Sequence, residues 1–160
     1  SNSSDLIINS LKGHIILIGS HRIGKSFLKT LGVGKHKVVV VDFDPDIISD
    51  LNREKILNVF GDIADPEVAQ KAGIDKASLI ISTVPDIEDN LLLLQSLGNK
   101  KKKVIVVAAD VEEAKTLYKA GAYYVVLPYL VGGVHLARII KNDRLKDVED
   151  FKTEDLQLLS

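Results

Sequence analysis

Six short runs of Val, Ile and Leu, separated by stretches with helical patterning, constrain this chain more than any other feature. The runs are Ile15–Gly19, Lys37–Val41, Ile56–Phe60, Ser78–Ser82, Lys103–Val107 and Tyr123–Leu127. Most are continuously apolar and not alternating, the pattern of parallel strands buried on both faces. Between them, Ile23–Leu31, Pro45–Arg53, Pro66–Ala72, Ile87–Leu97 and Val111–Lys119 read as helices, and Val131–Lys141 as a last one. Pro45 and Pro66 stand in first helical turns behind Asp44 and Asp65, which read as caps. Strands that alternate with helices, joined by right-handed crossovers, give an α/β fold. It is a doubly wound parallel sheet in three layers, with strand order 3-2-1-4-5-6.

In such a sheet a ligand binds beyond the carboxyl ends of the strands, where the strand order reverses. The first strand leads there into Gly19-Ser20-His21-Arg22-Ile23-Gly24-Lys25-Ser26, which fits two phosphate-binding patterns. In the first, it is the glycine turn of a Rossmann-type dinucleotide fold with His21 in place of the middle glycine. Gly19 permits the tight turn, Gly24 permits close helix–strand packing, and Arg22 can pair with phosphate oxygens. In the second, it matches the G-x-x-x-x-G-K-[ST] loop of nucleotide triphosphatases, and Val38–Asp42 resembles a strand ending in a magnesium-binding Asp. Both put a phosphate at a helix N-terminus, where free N–H groups and the helix dipole favour an anion. The second needs a long loop before the helix, whereas Ile23 onward already has helical patterning. It also lacks a water-positioning Glu or Gln and an arginine finger.

Asp42 lies 23 residues after Gly19, at the end of Val38-Val39-Val40-Val41. That place suits a carboxylate accepting both ribose hydroxyls, and an acid there repels a 2′-phosphate, so NADP is disfavoured. Asp42-Phe43-Asp44, Gly61-Asp62-Ile63, Thr83-Val84-Pro85 and Ala108-Ala109-Asp110 follow strands two to five at the same edge. His14, His36 and His135 have no metal-ligand spacing and read as structural or solvent-facing. Lys100–Lys103 precede strand five, at the opposite edge, and read as a solvated loop.

At 160 residues the chain is long enough for one well-buried domain. A formal net charge of −1 argues against general nucleic-acid binding. No cysteine is present, so there is no thiolate metal site and no sign of an oxidising compartment. The apolar runs fall far short of the roughly 20 residues of a membrane-spanning helix. Residues 1–12 read as a leader, with Ser1–Ser4 as an expression scar or frayed start; Leu6–Leu11 is too short to classify. Residues 13–141 form the nucleotide-binding domain. Residues 142–160 read as a charged tail or a docking helix. With no methionine, the chain reads as an excised piece of something longer.

Taken together, these motifs resemble the KTN or RCK N-terminal domain, also called TrkA-N. The glycine turn is followed by Val40-Val41-Asp42-Phe43-Asp44-Pro45, Gly61-Asp62-Ile63-Ala64-Asp65-Pro66 and Ala72-Gly73-Ile74-Asp75-Lys76-Ala77. Thr83-Val84-Pro85-Asp86 with Asn90-Leu91-Leu92, and Gly121-Ala122 with Val126-Leu127-Pro128, complete the series. The resemblance covers roughly residues 13–141. It implies a cytosolic regulatory domain of potassium channels, potassium uptake systems or monovalent cation:proton antiporters. Such a domain forms a homodimer, binds AMP, ADP, ATP or NAD(H), and passes ligand state to a transmembrane transporter or channel in the same or a separate chain.

The resemblance further implies that Arg22 contacts phosphate, Asp42 ribose, and Asp62 with Ile63 the adenine, and that Thr83, Val84 and Pro85 line the same cleft. Ser20, Ile23, Phe43, Asp44 and Gly61 complete the expected contact set. Two departures stand out. His21 replaces the usual central glycine, which favours a mononucleotide, and Ala108-Ala109 stand where many members carry an arginine. The separate C-terminal subdomain of many members is missing, which tilts the expectation toward an antiporter-type or truncated regulatory domain.

No catalytic or metal-binding set is expected. None of Tyr118, Tyr123, Tyr124 and Tyr129 has a lysine four residues on, and no Ser/His/Asp arrangement occurs. No substrate domain follows the sixth strand, so binding without turnover is the economical reading. The alternatives are a fragment of an NAD-dependent oxidoreductase and, behind it, a P-loop nucleotide triphosphatase.

Overall fold

The computed structural model describes residues 2–32 and 37–159. Eight α-helices and six strands follow in the order α1 (Asn2–Ser10), β1 (Ile15–Ile18), α2 (Arg22–Leu31), β2 (Val38–Asp42), α3 (Pro45–Arg53), β3 (Asn58–Phe60) and α4 (Pro66–Lys71). The second half comprises β4 (Leu79–Ser82), α5 (Ile87–Leu97), β5 (Lys103–Val107), α6 (Val111–Lys119), β6 (Tyr124–Val126), α7 (Pro128–Lys141) and α8 (Val148–Leu159). All six strands pair in parallel in the order β3-β2-β1-β4-β5-β6, as expected. His36, read from the sequence as structural or solvent-facing, lies outside the described residues.

The central strands are buried on both faces because both faces carry helices. On one face Ile16, Ile18, Val39, Val41, Ile80, Val104 and Val106 meet Val68 of α4, Leu93, Leu94 and Leu97 of α5, and Leu117 of α6. On the other, Leu17 and Val40 meet Leu51 of α3, with Phe27 and Leu28 of α2 at the margin. Asp44, Asp65, Asp86 and Asp110 each cap the helix that follows by accepting a backbone N–H, which fixes where α3, α4, α5 and α6 begin.

The last helix and the β6 edge are left more open. Only Ile139 of α7 is buried, while Tyr129, Leu130, Val131, Leu136 and Ile140 of that helix stand open. Tyr124 of the edge strand is half exposed as well.

Several segments differ from their sequence expectations. The first residues are helical: α1 buries Ile8 in the larger core cluster, and Lys76 Nζ donates to the Asn9 carbonyl at 3.3 Å. α7 starts three residues earlier than its apolar pattern, because Pro128 supplies a pre-set first-turn φ and needs no N–H partner. Residues 148–159 form a helix against α2, with Lys29 Nζ donating to the Leu158 carbonyl at 3.1 Å. His135 and Arg144 both lie on the Phe151 ring.

The lysine run is more than a solvated loop. Lys102 Nζ donates to the Asp75 and Ala77 carbonyls at 2.6 and 2.9 Å, and Lys103 lies over the Tyr123 ring. The Lys100 ammonium, hydrogen-bonded to Asp75 at 2.6 Å, holds that carboxyl below the ordinary carboxylate range. Both side chains are well exposed, so solvent screening leaves the pair a minor contributor to stability.

His14 is structural. It is 2% exposed, and its Nε2 donates to the Ala72 carbonyl at 2.8 Å, which sets the tautomer. Gly73, at φ +72, passes close over the ring: a Cβ there would sit 3.0 Å from it. This contact joins the foot of β1 to the end of α4.

Candidate functional site

β1 ends in a turn of three residues, Gly19 to His21, before α2 begins at Arg22. Gly19 has φ +84, a left-handed conformation that a side chain rarely adopts, and a Cβ there would meet Thr83 Oγ1 at 2.9 Å. Gly24, one turn into α2, packs against this turn: a Cβ on it would sit 2.3 Å from the Gly19 carbonyl oxygen. The Thr83 hydroxyl, at 3.0 Å from the Gly19 carbonyl and 3.1 Å from that of Ile18, ties β4 to the turn from below. The two outer glycines therefore do what the Rossmann pattern asks of them, and Thr83 supports the turn from outside the cavity wall.

The start of α2 has no side-chain cap for its first N–H groups. His21 is the N-cap, makes no side-chain capping bond, and no acid lies in the first turn. Arg22 and Lys25 are exposed there. Gly24 and Lys25 lie inside the helix, the Lys25 N–H donates to the His21 carbonyl, and Ser26 Oγ turns back to the Ile23 carbonyl. A P-loop needs a longer loop wrapped around the phosphate before its helix, with the Ser hydroxyl free for magnesium. Here the helix begins three residues after Gly19, which favours the Rossmann-type turn.

Asp42, the last residue of β2, is 8% exposed. Its Oδ2 accepts the Ser20 N–H at 3.0 Å and its Oδ1 accepts the Asp44 N–H at 2.9 Å. The carboxylate thus fixes the glycine turn and the β2–α3 loop together. Each oxygen accepts one backbone N–H and keeps further lone-pair capacity, which suits two adjacent hydroxyls.

A cavity of about 480 Å³ opens in front of these groups. Of the residues expected from the sequence, Gly19, Asp42, Phe43, Gly61, Asp62, Ile63 and Val84 line it. Phe43 stands on its lip, 71% exposed. Ser20 reaches the site through its N–H, and the Arg22 end of α2 lies beside the turn. Ile23, Gly24, Asp44, Thr83 and Pro85 shape the surroundings and do not line the cavity. Gly61, at φ +143, lets the β3 exit pass close over Val68.

The sequence reading missed two parts of the wall. The cavity runs on between α4 and α5, along Pro66, Ala69, Leu92, Leu93 and Ser96. Its floor carries Ser82 and Asn90, 2% and 1% exposed. Asn90 Oδ1 accepts from Ser82 Oγ at 2.7 Å, and Nδ2 donates to the Val84 carbonyl at 2.9 Å, holding the β4 exit in place. A lone Asn in the apolar Ile87–Leu97 helix was the available signal. Among the described residues, no group of three or more His, Asp or Glu could hold a metal ion, and no helix is long and apolar enough to cross a membrane.

Comparison with known proteins agrees with this geometry. The TrkA-N domain profile matches residues 15–128. The chain is 34% identical over 164 residues to probable potassium channel protein 2 of Methanocaldococcus jannaschii, covering 94% of this chain and 48% of that protein. It is 28% identical over 116 residues to the glutathione-regulated potassium-efflux system protein KefC of Cronobacter sakazakii, covering 71% of this chain and 19% of that protein. The chain therefore spans half or less of the length of these relatives.

Among solved structures, the TrkA-N domain of the inner membrane protein ybaL from Escherichia coli has the same fold, with a TM-score of 0.75 at 21% identity, over 81% of this chain and 98% of that one. The GsuK channel bound to NAD aligns at a TM-score of 0.66 and 26% identity, over 74% of this chain and 22% of that one. The Shewanella denitrificans Kef C-terminal domain in its AMP-bound form aligns at 0.67 and 17% identity, over 91% of this chain and 94% of that one. With the profile matched across most of its length and the β1–α2 turn built as described, the chain belongs to the TrkA-N domain family.

Proposed function

We propose that this chain is a regulatory nucleotide-sensing domain that controls a potassium or monovalent cation transporter, or a cation:proton antiporter, from the cytoplasmic face of a membrane. Its ligand is an adenine nucleotide, AMP, ADP or ATP, or else NAD(H). One observation carries the reading: the buried Asp42 carboxylate lies on the cavity wall beside an α2 N-terminus that has no side-chain cap and no acid. The carboxylate holds the ribose hydroxyls, the α2 N–H groups and Arg22 hold phosphate, and Asp62 with Ile63 faces the base. The same carboxylate disfavours the 2′-phosphate of NADP. The relatives lend support, since a potassium channel protein and a potassium-efflux protein carry the matching segment.

A thermal-shift panel of AMP, ADP, ATP, NAD and NADH, with and without magnesium, tests this reading. A ligand present at a hundred times its dissociation constant adds about 2.7 kcal/mol, or roughly 5–10 °C for a domain of this size. At least one of these nucleotides is expected to reach that shift without magnesium. No shift with any of them would refute the reading.

Sensing needs no turnover. With ATP and magnesium the chain is expected to release no phosphate above background, and with NADH to reduce no common keto acid. Sustained hydrolysis that disappears in Lys25→Ala would favour a triphosphatase instead.

The open apolar side of α7 is the surface for a second copy. Tyr129, Leu136 and Ile140 share one side of the helix and are all exposed, with Leu130 and Val131 also open at its start. Light scattering at micromolar concentration is expected to give about twice the chain mass of 17.5 kDa. A monomer at every concentration would contradict this.

A further inference from the structure

We propose that the site selects a single adenine nucleotide ending in phosphate over a dinucleotide, and that His21 is the residue that sets this choice. The proposal rests on the nucleotide reading above and sharpens its ligand class.

The first observation is the turn itself. Gly19 and Gly24 are both required, one by its φ of +84 and the other by the 2.3 Å approach that a Cβ would make to the Gly19 carbonyl. The middle position has no such requirement, for His21 sits at φ −88. In a dinucleotide turn the middle residue is glycine so that the backbone can close on the pyrophosphate. Here an exposed imidazole, tied down by no capping bond, stands at that position. A terminal phosphate reaches the α2 N–H groups from the Asp42 side without passing it. A pyrophosphate that continues to a second nucleoside has to cross it.

The second observation is where the cavity lies. Its wall comes from the exits of β1, β2, β3 and β4 and from α4 and α5. The exits of β5 and β6 contribute nothing to it. In a doubly wound fold a dinucleotide lies across both halves of the sheet, and of the second half this recess takes in only the β4 exit and α5.

The third is electrostatic. In the second half the helix N-termini are already closed, and closed by acids. Asp86 accepts the Glu88 and Asp89 N–H groups at 2.8 and 3.2 Å. Asp110 accepts the Glu113 N–H at 2.8 Å, and Glu113 Oε2 in turn accepts the Ala109 N–H at 2.8 Å. Glu88, Asp89 and Glu112 add further negative charge in the same first turns. Of the five helices α2 to α6, α2 alone begins without a side-chain cap and with cations instead of acids. One helix end welcomes a phosphate, and the starts of α3 to α6, each capped by an Asp and carrying an acid in the first turn, offer no second site for one.

Calorimetric titration of AMP and NAD into the wild-type chain, His21→Gly and His21→Ala tests the proposal, with circular dichroism to confirm that each variant is folded. Wild type is expected to bind AMP roughly tenfold or more tighter than NAD. In His21→Gly that preference is expected to shrink about tenfold through tighter NAD binding, with His21→Ala between the two. Equal wild-type affinity for AMP and NAD, or a preference unmoved in both variants, would overturn the proposal while leaving the nucleotide reading intact. Failure of wild type to bind either ligand would overturn this proposal, and the nucleotide reading falls with it only when ADP, ATP and NADH fail to bind as well.

Discussion

Gly24→Ala is expected to destabilise the chain by about 3 kcal/mol, lowering its thermal midpoint by roughly 6–12 °C, and to remove nucleotide binding. The added methyl would lie 2.3 Å from the Gly19 carbonyl oxygen and 3.3 Å from Thr83 Oγ1. The nearer neighbour is backbone, so no side chain can rotate away. Either α2 lifts from β1 or the glycine turn opens. Both displace the N–H groups of the α2 terminus, and the turn is also held by Asp42 through the Ser20 N–H. Gly98→Ala is the matched control. Gly98 has φ −56 and nothing within 4 Å of its added Cβ, so the same substitution there should be neutral or stabilise by up to about 1 kcal/mol. Paired melting curves check the contrast. Equal midpoints for the two variants would mean that the close approach at Gly24 is not part of the folded turn.

The sheet was readable from sequence because a parallel strand buried on both faces writes itself as a continuous apolar run. Val38–Val41 and Lys103–Val107 are such runs, and each lies where the structure has a strand. Helix starts were readable where the cap is local: Asp44 and Asp65, read as caps, act within three residues of themselves, and Asp86 and Asp110 prove to do the same. What escaped depends on distant partners. Ile8 looks like one apolar residue in a short polar segment, and only the core cluster it enters explains its helix. Lys102 looks like part of a charge run until the carbonyls of Asp75 and Ala77 come within its reach.

At the site, the glycine turn and Asp42 were evident because the fold places them by spacing alone. The Ser82–Asn90 pair was not, since neither residue signals chemistry by itself. Thr83 and Pro85 were assigned to the cleft because they follow β4. The actual turn directs Thr83 under Gly19 and leaves Val84 as the lining residue.

The second large effect falls on binding. Asp42→Ala removes a carboxylate that is 8% exposed and holds both the glycine turn and the β2–α3 loop. In the proposed binding mode two ribose hydroxyls lose their acceptor, and the Ser20 N–H loses its partner. The expected cost is roughly 1.5–3 kcal/mol, or about ten- to a hundredfold in affinity. Lys25→Ala should matter far less, because Lys25 is an exposed residue within α2 whose N–H is already bonded to His21. Titrating AMP without magnesium into wild type, Asp42→Ala and Lys25→Ala compares the two directly. The account predicts a ten- to hundredfold loss for Asp42→Ala and less than about threefold for Lys25→Ala. Abolished binding in Lys25→Ala, with magnesium-free affinity retained in Asp42→Ala, would contradict it.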